Sequence, residues 1–247
     1  MAVTSALDLV GFDADDTLWR SQDYFDAAQS EFEVIVGGYI DLAEGDTQAR
    51  LYEVEARNIA TFGYGVKGMA LSMIEAAVDI TDARISAHDL HRIVAMAKDL
   101  LQHPVELLPG IVDAVQAIAA RHRVVLITKG DLFHQERKVA ASGLRDVFDR
   151  IEIVSEKDPA TYARVLVECA VSPSRFAMVG NSLRSDIAPV LALGGWGVHI
   201  PYHVTWVHEA AADVQGDSPR LRSVATPGEL PAVIEAIARA PANGNAR

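Results

Sequence analysis

An apolar run, Leu7 to Phe12 (Leu-Asp-Leu-Val-Gly-Phe), breaks off at Asp13-Ala14-Asp15-Asp16-Thr17. The run reads as a strand buried in a parallel sheet. Two carboxylates two residues apart at the end of such a strand are costly, because each is desolvated and each repels the other. Packing gives no reason to place them there. A divalent cation together with a phosphoryl group offsets the repulsion, and one carboxylate can then serve as nucleophile and the other as proton donor. Taken alone, the pentad also fits a calcium-type loop or a solvated acidic turn.

Three further constellations follow in order. The apolar run Arg123 to Thr128 ends in Thr128-Lys129-Gly130-Asp131. A lysine stands in Ser155-Glu156-Lys157-Asp158-Pro159. Phe176 to Val179 ends in Gly180-Asn181-Ser182-Leu183-Arg184-Ser185-Asp186. In an open parallel α/β sheet such strand ends share one crevice. By itself Lys157 reads as a surface lysine; the ordered set makes it a site residue.

With these residues in place, the chain resembles the haloacid dehalogenase-like (HAD) hydrolase superfamily. Asp13 and Asp15 match its first motif, Thr128 its second, Lys157 its third and Asp186 its fourth, and the resemblance runs from about Leu7 to Tyr202. Lys129 stands where many relatives carry Asn, and Asn181 where many carry Asp. The resemblance implies a Rossmann-like parallel core of strand order 5-4-1-2-3 with an inserted all-helical cap over the active site. It also implies Mg2+, a hard cation suited to an oxygen-only site with few carboxylates, held by Asp13, the backbone carbonyl of Asp15, Asp186 and Asn181, the last directly or through water. Asp13 is then the nucleophile and Asp15 the acid and base. Dehalogenases of the superfamily lack an Asp at the position of Asp15, because their leaving group needs no proton. The Thr128 hydroxyl and the amides near Lys129 and Gly130 would hold phosphate oxygens, and Lys157 would neutralise charge on the phosphoryl group. Thr17 either orients Asp15 or caps a turn.

The chain has 247 residues, half of them hydrophobic, enough for one large domain or two small ones. A net charge of −12 argues against non-specific binding to nucleic acid or anionic membranes. It leaves a small anionic substrate open, since a metal and a lysine dominate the local field. Cys169 is the single cysteine, so no intrachain disulfide forms, and it reads as a buried core thiol. No apolar run approaches the about 20 residues of a membrane span, and the N-terminus lacks the pattern of a signal peptide, so a cytoplasmic protein is expected; either a monomer or a homodimer is compatible with the sequence.

Residues 20–103 form an insert read as helical, with Phe25, Phe32, Ile35 and Val36 at helical spacing, then Leu71, Ile74, Ala77 and Val78, then Leu90, Ile93, Val94, Ala97 and Leu101. Residues 1–19 and 104–247 make the catalytic core. After Leu108-Pro109-Gly110, helices and strands alternate: helix from Ile111, strand Val124 to Thr128, helix Leu132 to Ser142, strand Ile151 to Val154, helix Thr161 to Ala170, strand Phe176 to Val179, helix Leu183 to Leu193 with Pro189 in its first turns, strand Gly197 to Ile200, and a last helix Glu229 to Ala240.

Within the insert, Thr61 to Gly68 is the best substrate-reading segment, with glycines for close approach, Tyr64 for stacking and Lys67 for an anionic group; a plain interhelical turn is the alternative. Asp16, Asp131 and Asp158 read as loop solvation or support around the site. His199, His203 and His208 invite a zinc site, but spacings of four and five on a strand and loop do not share a face. Trp206 to Glu209 reads instead as closing the crevice edge. The function expected is phosphomonoester hydrolysis of a small phosphorylated metabolite. The alternatives are a phosphonate hydrolase with Lys67 as Schiff-base lysine, or a catalytically silent binding protein of the same fold.

Overall fold

The computed structural model describes residues 6–42, 46–209 and 218–240; the tail from Pro241 to Arg247, expected to fray, lies outside them. The chain divides into two compact units. One holds residues up to Arg20, Val105–Lys129 and Lys138 onward; the other holds Ser21–Pro104 and Gly130–Arg137.

The first unit is built on six parallel strands: β1 (Leu9–Phe12), β2 (Arg123–Lys129), β3 (Arg150–Val154), β4 (Phe176–Gly180), β5 (Trp196–His199) and β6 (Leu221–Ser223), in the order β3-β2-β1-β4-β5-β6. Read from the other edge, this is the expected 5-4-1-2-3 with β6 added beyond β5. Three residues that are exposed or half-buried carry no periodic signal, so β6 is invisible in the sequence. The central strands are apolar without interruption because both of their faces are covered. Val10, Phe12, Val124, Leu126, Ala177 and Val179 pack on one side with helices α5 (Ile111–Ala119) and α9 (Leu230–Ala238). Leu9, Val125, Ile127, Phe176 and Met178 pack on the other with Tyr162, Val165 and Leu166 of α7 (Pro159–Glu168). Each such side chain stabilises by about 1.5–3 kcal/mol when fully buried. Cys169 is buried in this second cluster, as expected.

Gly11, in the middle of β1, faces the second cluster. A Cβ there would stand 2.7 Å from Phe176 Cζ and 2.9 Å from Met178 Sδ, so the two side chains occupy the volume the glycine leaves.

The helix starts follow local chemistry. Asp158 accepts the Thr161 N–H at 2.7 Å and caps α7, with Pro159 in its first turn. The expected helix from Leu183 to Leu193 is split into a π-helical turn, Leu183–Ile187, and α8 (Ala188–Ala192), with Pro189 in its first turn. The Ile187 N–H reaches back to the Ser182 carbonyl at 3.3 Å, a widened turn of the kind found near functional sites. The remaining helix of this stretch is α6 (Leu132–Ala141).

Among the described residues, the second unit contains four whole helices, α1 (Gln22–Gly37), α2 (Thr47–Phe62), α3 (Val66–Ile80) and α4 (Ala87–Gln102), together with the start of α6. Three match the apolar runs read from the sequence. The fourth, α2, went unread because its buried positions are only Thr47, Leu51, Val54 and Glu55. Phe32, Leu51, Met73 and Ile93 form the middle of this unit's core. In the first unit, the Arg20 N–H donates to Glu106 O at 3.0 Å and the Leu108 N–H to Leu18 O at 2.9 Å, so the insert leaves and returns at adjacent points. No helix among the described residues is long and apolar enough to cross a membrane.

Gly11→Ala is expected to lower the stability of the α/β unit by about 1–3 kcal/mol through overpacking against Phe176 and Met178. Trp19, Trp196 and Trp206, the three tryptophans, all lie in this unit, so urea unfolding followed by tryptophan fluorescence reads it directly. An unchanged midpoint and slope would refute the packing account.

Candidate active site

The strands deliver their polar residues at the C-terminal edge of the sheet. Asp13 follows β1. Thr128 and Lys129 end β2, and Phe12 pairs with Leu126, so Thr128 stands two residues beyond that pair on the neighbouring strand. Lys157 lies in the turn between β3 and α7, and Asn181 follows β4. Asp186 sits in the π-helical turn.

Three of these side chains meet directly. The Lys157 ammonium donates to Asp13 Oδ1 and, at 2.7 Å, to Asp186 Oδ1. All three are buried, with 4%, 6% and 1% exposure for Lys157, Asp13 and Asp186. One positive charge thus faces two desolvated negative ones. Burial, and next the charge of Asp186, push the Asp13 carboxyl up to about 7, while Lys157 pulls it back down. Burial opposes the charge on Lys157, yet Asp13 and Asp186 hold its pKa well above the ordinary lysine value.

The second oxygens of the carboxylates are also placed. Asp186 Oδ2 accepts the Ser182 N–H at 3.0 Å. A Cβ at position 180 would lie 2.2 Å from that oxygen, so only glycine lets the carboxylate rest against the end of β4. The fully buried Thr17 hydroxyl is 3.1 Å from Asp13 Oδ2 and 3.2 Å from Asn181 Oδ1, and it accepts the Asn181 N–H at 3.1 Å. Thr17 therefore orients Asp13 and not Asp15. Its single proton serves one of the two oxygens at a time. The Asn181 carbonyl is 3.0 Å from His199 Nε2.

Asp15 has a different setting. Its side chain is 29% exposed, and Oδ1 accepts from Trp19 Nε1 at 2.6 Å and Lys138 Nζ at 2.5 Å. Asp16, between them in sequence, has a φ of 61° and makes the tight turn that brings Trp19 back to Asp15. Lys129 is held by protein groups: its ammonium pairs with Glu209 and lies 3.0 Å from Ser185 Oγ. Glu209 also accepts from Ser182 and, at 2.7 Å, from Ser185. The segment Trp206 to Glu209 thus reaches the strand ends through Glu209. Lys138 and Trp19 carried no motif in the sequence; Ser182 and Ser185 lay in the constellation after β4 and Glu209 in the segment Trp206 to Glu209, but none of these three had a role assigned from the sequence.

The remaining candidates lie in the helical unit. Tyr64 is half-buried in the turn between α2 and α3, where Gly63 and Gly65 have φ of 72° and 105°. Lys67 pairs with Asp131 Oδ2 at 2.8 Å and lies 5.6 Å from the centre of the Phe133 ring. Asp131 also accepts the His134 N–H at 3.0 Å, and Gly130 has a φ of 140°. Of the other two histidines considered for zinc, His203 lies with its ring centre 4.2 Å from that of Tyr202, tilted by 45°, and His208 lies edge-on to Trp206 at 4.7 Å.

The sequence matches the family model of haloacid dehalogenase-like hydrolases over residues 7–194. It is similar to a haloacid dehalogenase-like family hydrolase of Xanthomonas campestris, with 53% identity, 96% of this chain and 94% of that chain covered, and a TM-score of 0.86. A 2-haloacid dehalogenase of Pseudomonas syringae shares the fold at 20% identity, with 93% and 99% covered and a TM-score of 0.61. So does a HAD hydrolase of Bacillus subtilis bound to magnesium, at 16% identity, with 92% and 98% covered and a TM-score of 0.63. No curated protein matches the chain. With the family model spanning most of its length and the motif residues gathered at the ends of a parallel sheet, this chain belongs to the haloacid dehalogenase-like hydrolases and is a hydrolase of that family.

Proposed function

We propose that this hydrolase cleaves phosphomonoesters of small phosphorylated metabolites through an aspartyl phosphate, with Mg2+ as cofactor. The observation that carries this reading is Asp15. A dehalogenase releases a halide, which needs no proton, whereas an alkoxide leaving group does. Asp15 is a partly exposed carboxylate two positions after the buried Asp13, held in place by Trp19 and Lys138. That is the placement a leaving-group acid requires.

The residues fit a divalent cation. Lys157 leaves one negative charge of the Asp13–Asp186 pair unmatched; burial first, and the charge of Asp186 next, raise the Asp13 carboxyl. Each carboxylate oxygen keeps a lone pair beyond the hydrogen bond it accepts, and Asn181 brings an amide oxygen within 3.2 Å of Thr17. Two carboxylates with one amide suit a hard cation that keeps several waters and binds substrate phosphate. Asp13, Asp186 and Asn181 would hold it, with the Asp15 backbone carbonyl. When bound, Mg2+ supplies charge neutralisation for the phosphoryl group and for Asp13.

The chain's own groups then divide the chemistry. Asp13 attacks phosphorus in line as the bond to the leaving oxygen breaks, and Asp15 gives that oxygen its proton. Asp15 next takes a proton from water as the water attacks the aspartyl phosphate and releases Asp13. Lys157, already on Asp13, neutralises charge on the phosphoryl oxygens, and the Thr128 hydroxyl binds one of them. Tyr64 and Lys67 are the proposed substrate-reading residues. The phosphonate-hydrolase alternative asks Lys67 for a Schiff base, yet its ammonium is engaged by Asp131.

A panel of phosphorylated metabolites assayed with Mg2+, with 2-haloacids alongside, tests the reading; halide release without phosphate release would overturn it. Asp13→Asn is expected to abolish turnover while leaving the circular dichroism unchanged, since an amide forms no phosphoryl intermediate. Retention of a substantial rate in a sample free of deamidation would remove Asp13 as nucleophile. Asp15→Asn is expected to slow sugar phosphates by roughly 10²–10⁴-fold and p-nitrophenyl phosphate far less. Asn181→Asp adds a carboxylate beside the site, so the Mg2+ concentration for half-maximal activity should fall at fixed substrate and ionic strength. A Mg2+ requirement equal to or above that of the parent would place Asn181 outside the metal's reach.

A further inference from the structure

We propose that Lys138 is a positioning residue for Asp15, fixing which of the two Asp15 oxygens transfers the proton; the inference rests on the phosphatase reading. Lys138 lies on α6, outside the motifs that identify the family. Its ammonium donates to Asp15 Oδ1 at 2.5 Å, and Trp19 Nε1 donates to the same oxygen at 2.6 Å. The Lys138 side chain is 12% exposed. A lysine on a helix ordinarily keeps its head group in water. Drawing it inward costs hydration, so the contact with Asp15 is a specific placement and not a chance surface pair.

The two donors come from independent supports. The Trp19 ring is 1% exposed, and its backbone is bridged both to Asp15 and to Leu107. Lys138 reaches Asp15 from 123 residues further along the chain. The terminal torsion of an aspartate is broad and roughly two-fold, so a single donor leaves the two oxygens free to exchange. Two donors converging on Oδ1 remove that freedom. The proton of the first step then resides on Oδ2. It passes from Oδ2 to the leaving oxygen as the phosphorus–oxygen bond breaks. In the second step Oδ2 takes a proton from the water that attacks the aspartyl phosphate, and the cycle closes with no other reactant. Lys138 touches none of the reacting atoms in this scheme.

The consequence is specific to the leaving group. A misplaced acid harms only substrates whose leaving oxygen needs a proton. Lys138→Met, Lys138→Arg and Asp15→Asn are compared with the parent on an alkyl phosphate and on p-nitrophenyl phosphate, with kcat and KM measured separately and folding followed by circular dichroism. A misplacement of about 1 Å costs on the order of 10²-fold. Lys138→Met is therefore expected to lower kcat on the alkyl ester by about that factor, with KM little changed and the activated ester nearly spared. Lys138→Arg, which keeps a cationic donor, should recover most of the loss. Asp15→Asn combined with Lys138→Met should be no slower than Asp15→Asn alone. If Lys138→Met does not fold, Lys138→Leu, which likewise has no donor, carries the same comparison.

Equal losses on both esters, or no loss, in a Lys138 variant while Asp15→Asn separates the esters would overturn the role of Lys138 and leave the phosphatase reading standing. No separation of the esters by Asp15→Asn would overturn the acid role of Asp15, and this inference with it.

Discussion

The ammonium of Lys157 is bound by two buried carboxylates, Asp13 and Asp186, and the site is organised around that contact. Each ion taken from water carries a penalty of several kcal/mol, which mutual attraction repays only with good geometry and with the remaining hydrogen-bonding positions filled. Both conditions are visible. Thr17 serves Asp13 Oδ2 and the Ser182 N–H serves Asp186 Oδ2. The contact also ties together three stretches distant in sequence: the residue after β1, the turn after β3 and the π-helical turn after β4. Its imbalance of charge, two negative against one positive, is the physical ground of the proposed Mg2+ requirement.

That triad exists because of how the sheet is built. β1 is the neighbour of both β2 and β4, so the ends of all three strands open on one edge. Gly11 admits Phe176 and Met178 against the middle of β1, and Gly180 admits the Asp186 carboxylate against the end of β4. One glycine serves packing and the other serves the site, each through a missing Cβ.

Charge pairing continues outward. Lys129 is matched by Glu209 and Lys138 by Asp15. Among the described residues, the lysines near the strand ends therefore arrive with carboxylate partners. Lys129 is bound by a residue 80 positions away. Its ammonium secures the segment ending at Glu209 to the strand ends, a use that the expected phosphate contact did not include.

The sequence by itself determined the parallel α/β core, through apolar runs that needed cover on both faces, and the chemistry-bearing residues that end those runs. Asp13, Lys157 and Asp186 were legible because each follows a strand signal in a fixed order. Local pattern also marked most helices, but α2 buries too few apolar side chains to show a stripe, and β6 is too short and too exposed to show alternation. Only the tertiary structure decided the partnerships: Thr17 with Asp13 and not Asp15, Lys138 and Trp19 on one oxygen of Asp15, and Glu209 on Lys129. Such contacts join residues far apart in the chain, 164 positions in the case of Thr17 and Asn181. Periodicity reports which face of an element is buried, and it carries no information on which polar head groups meet once the elements have packed.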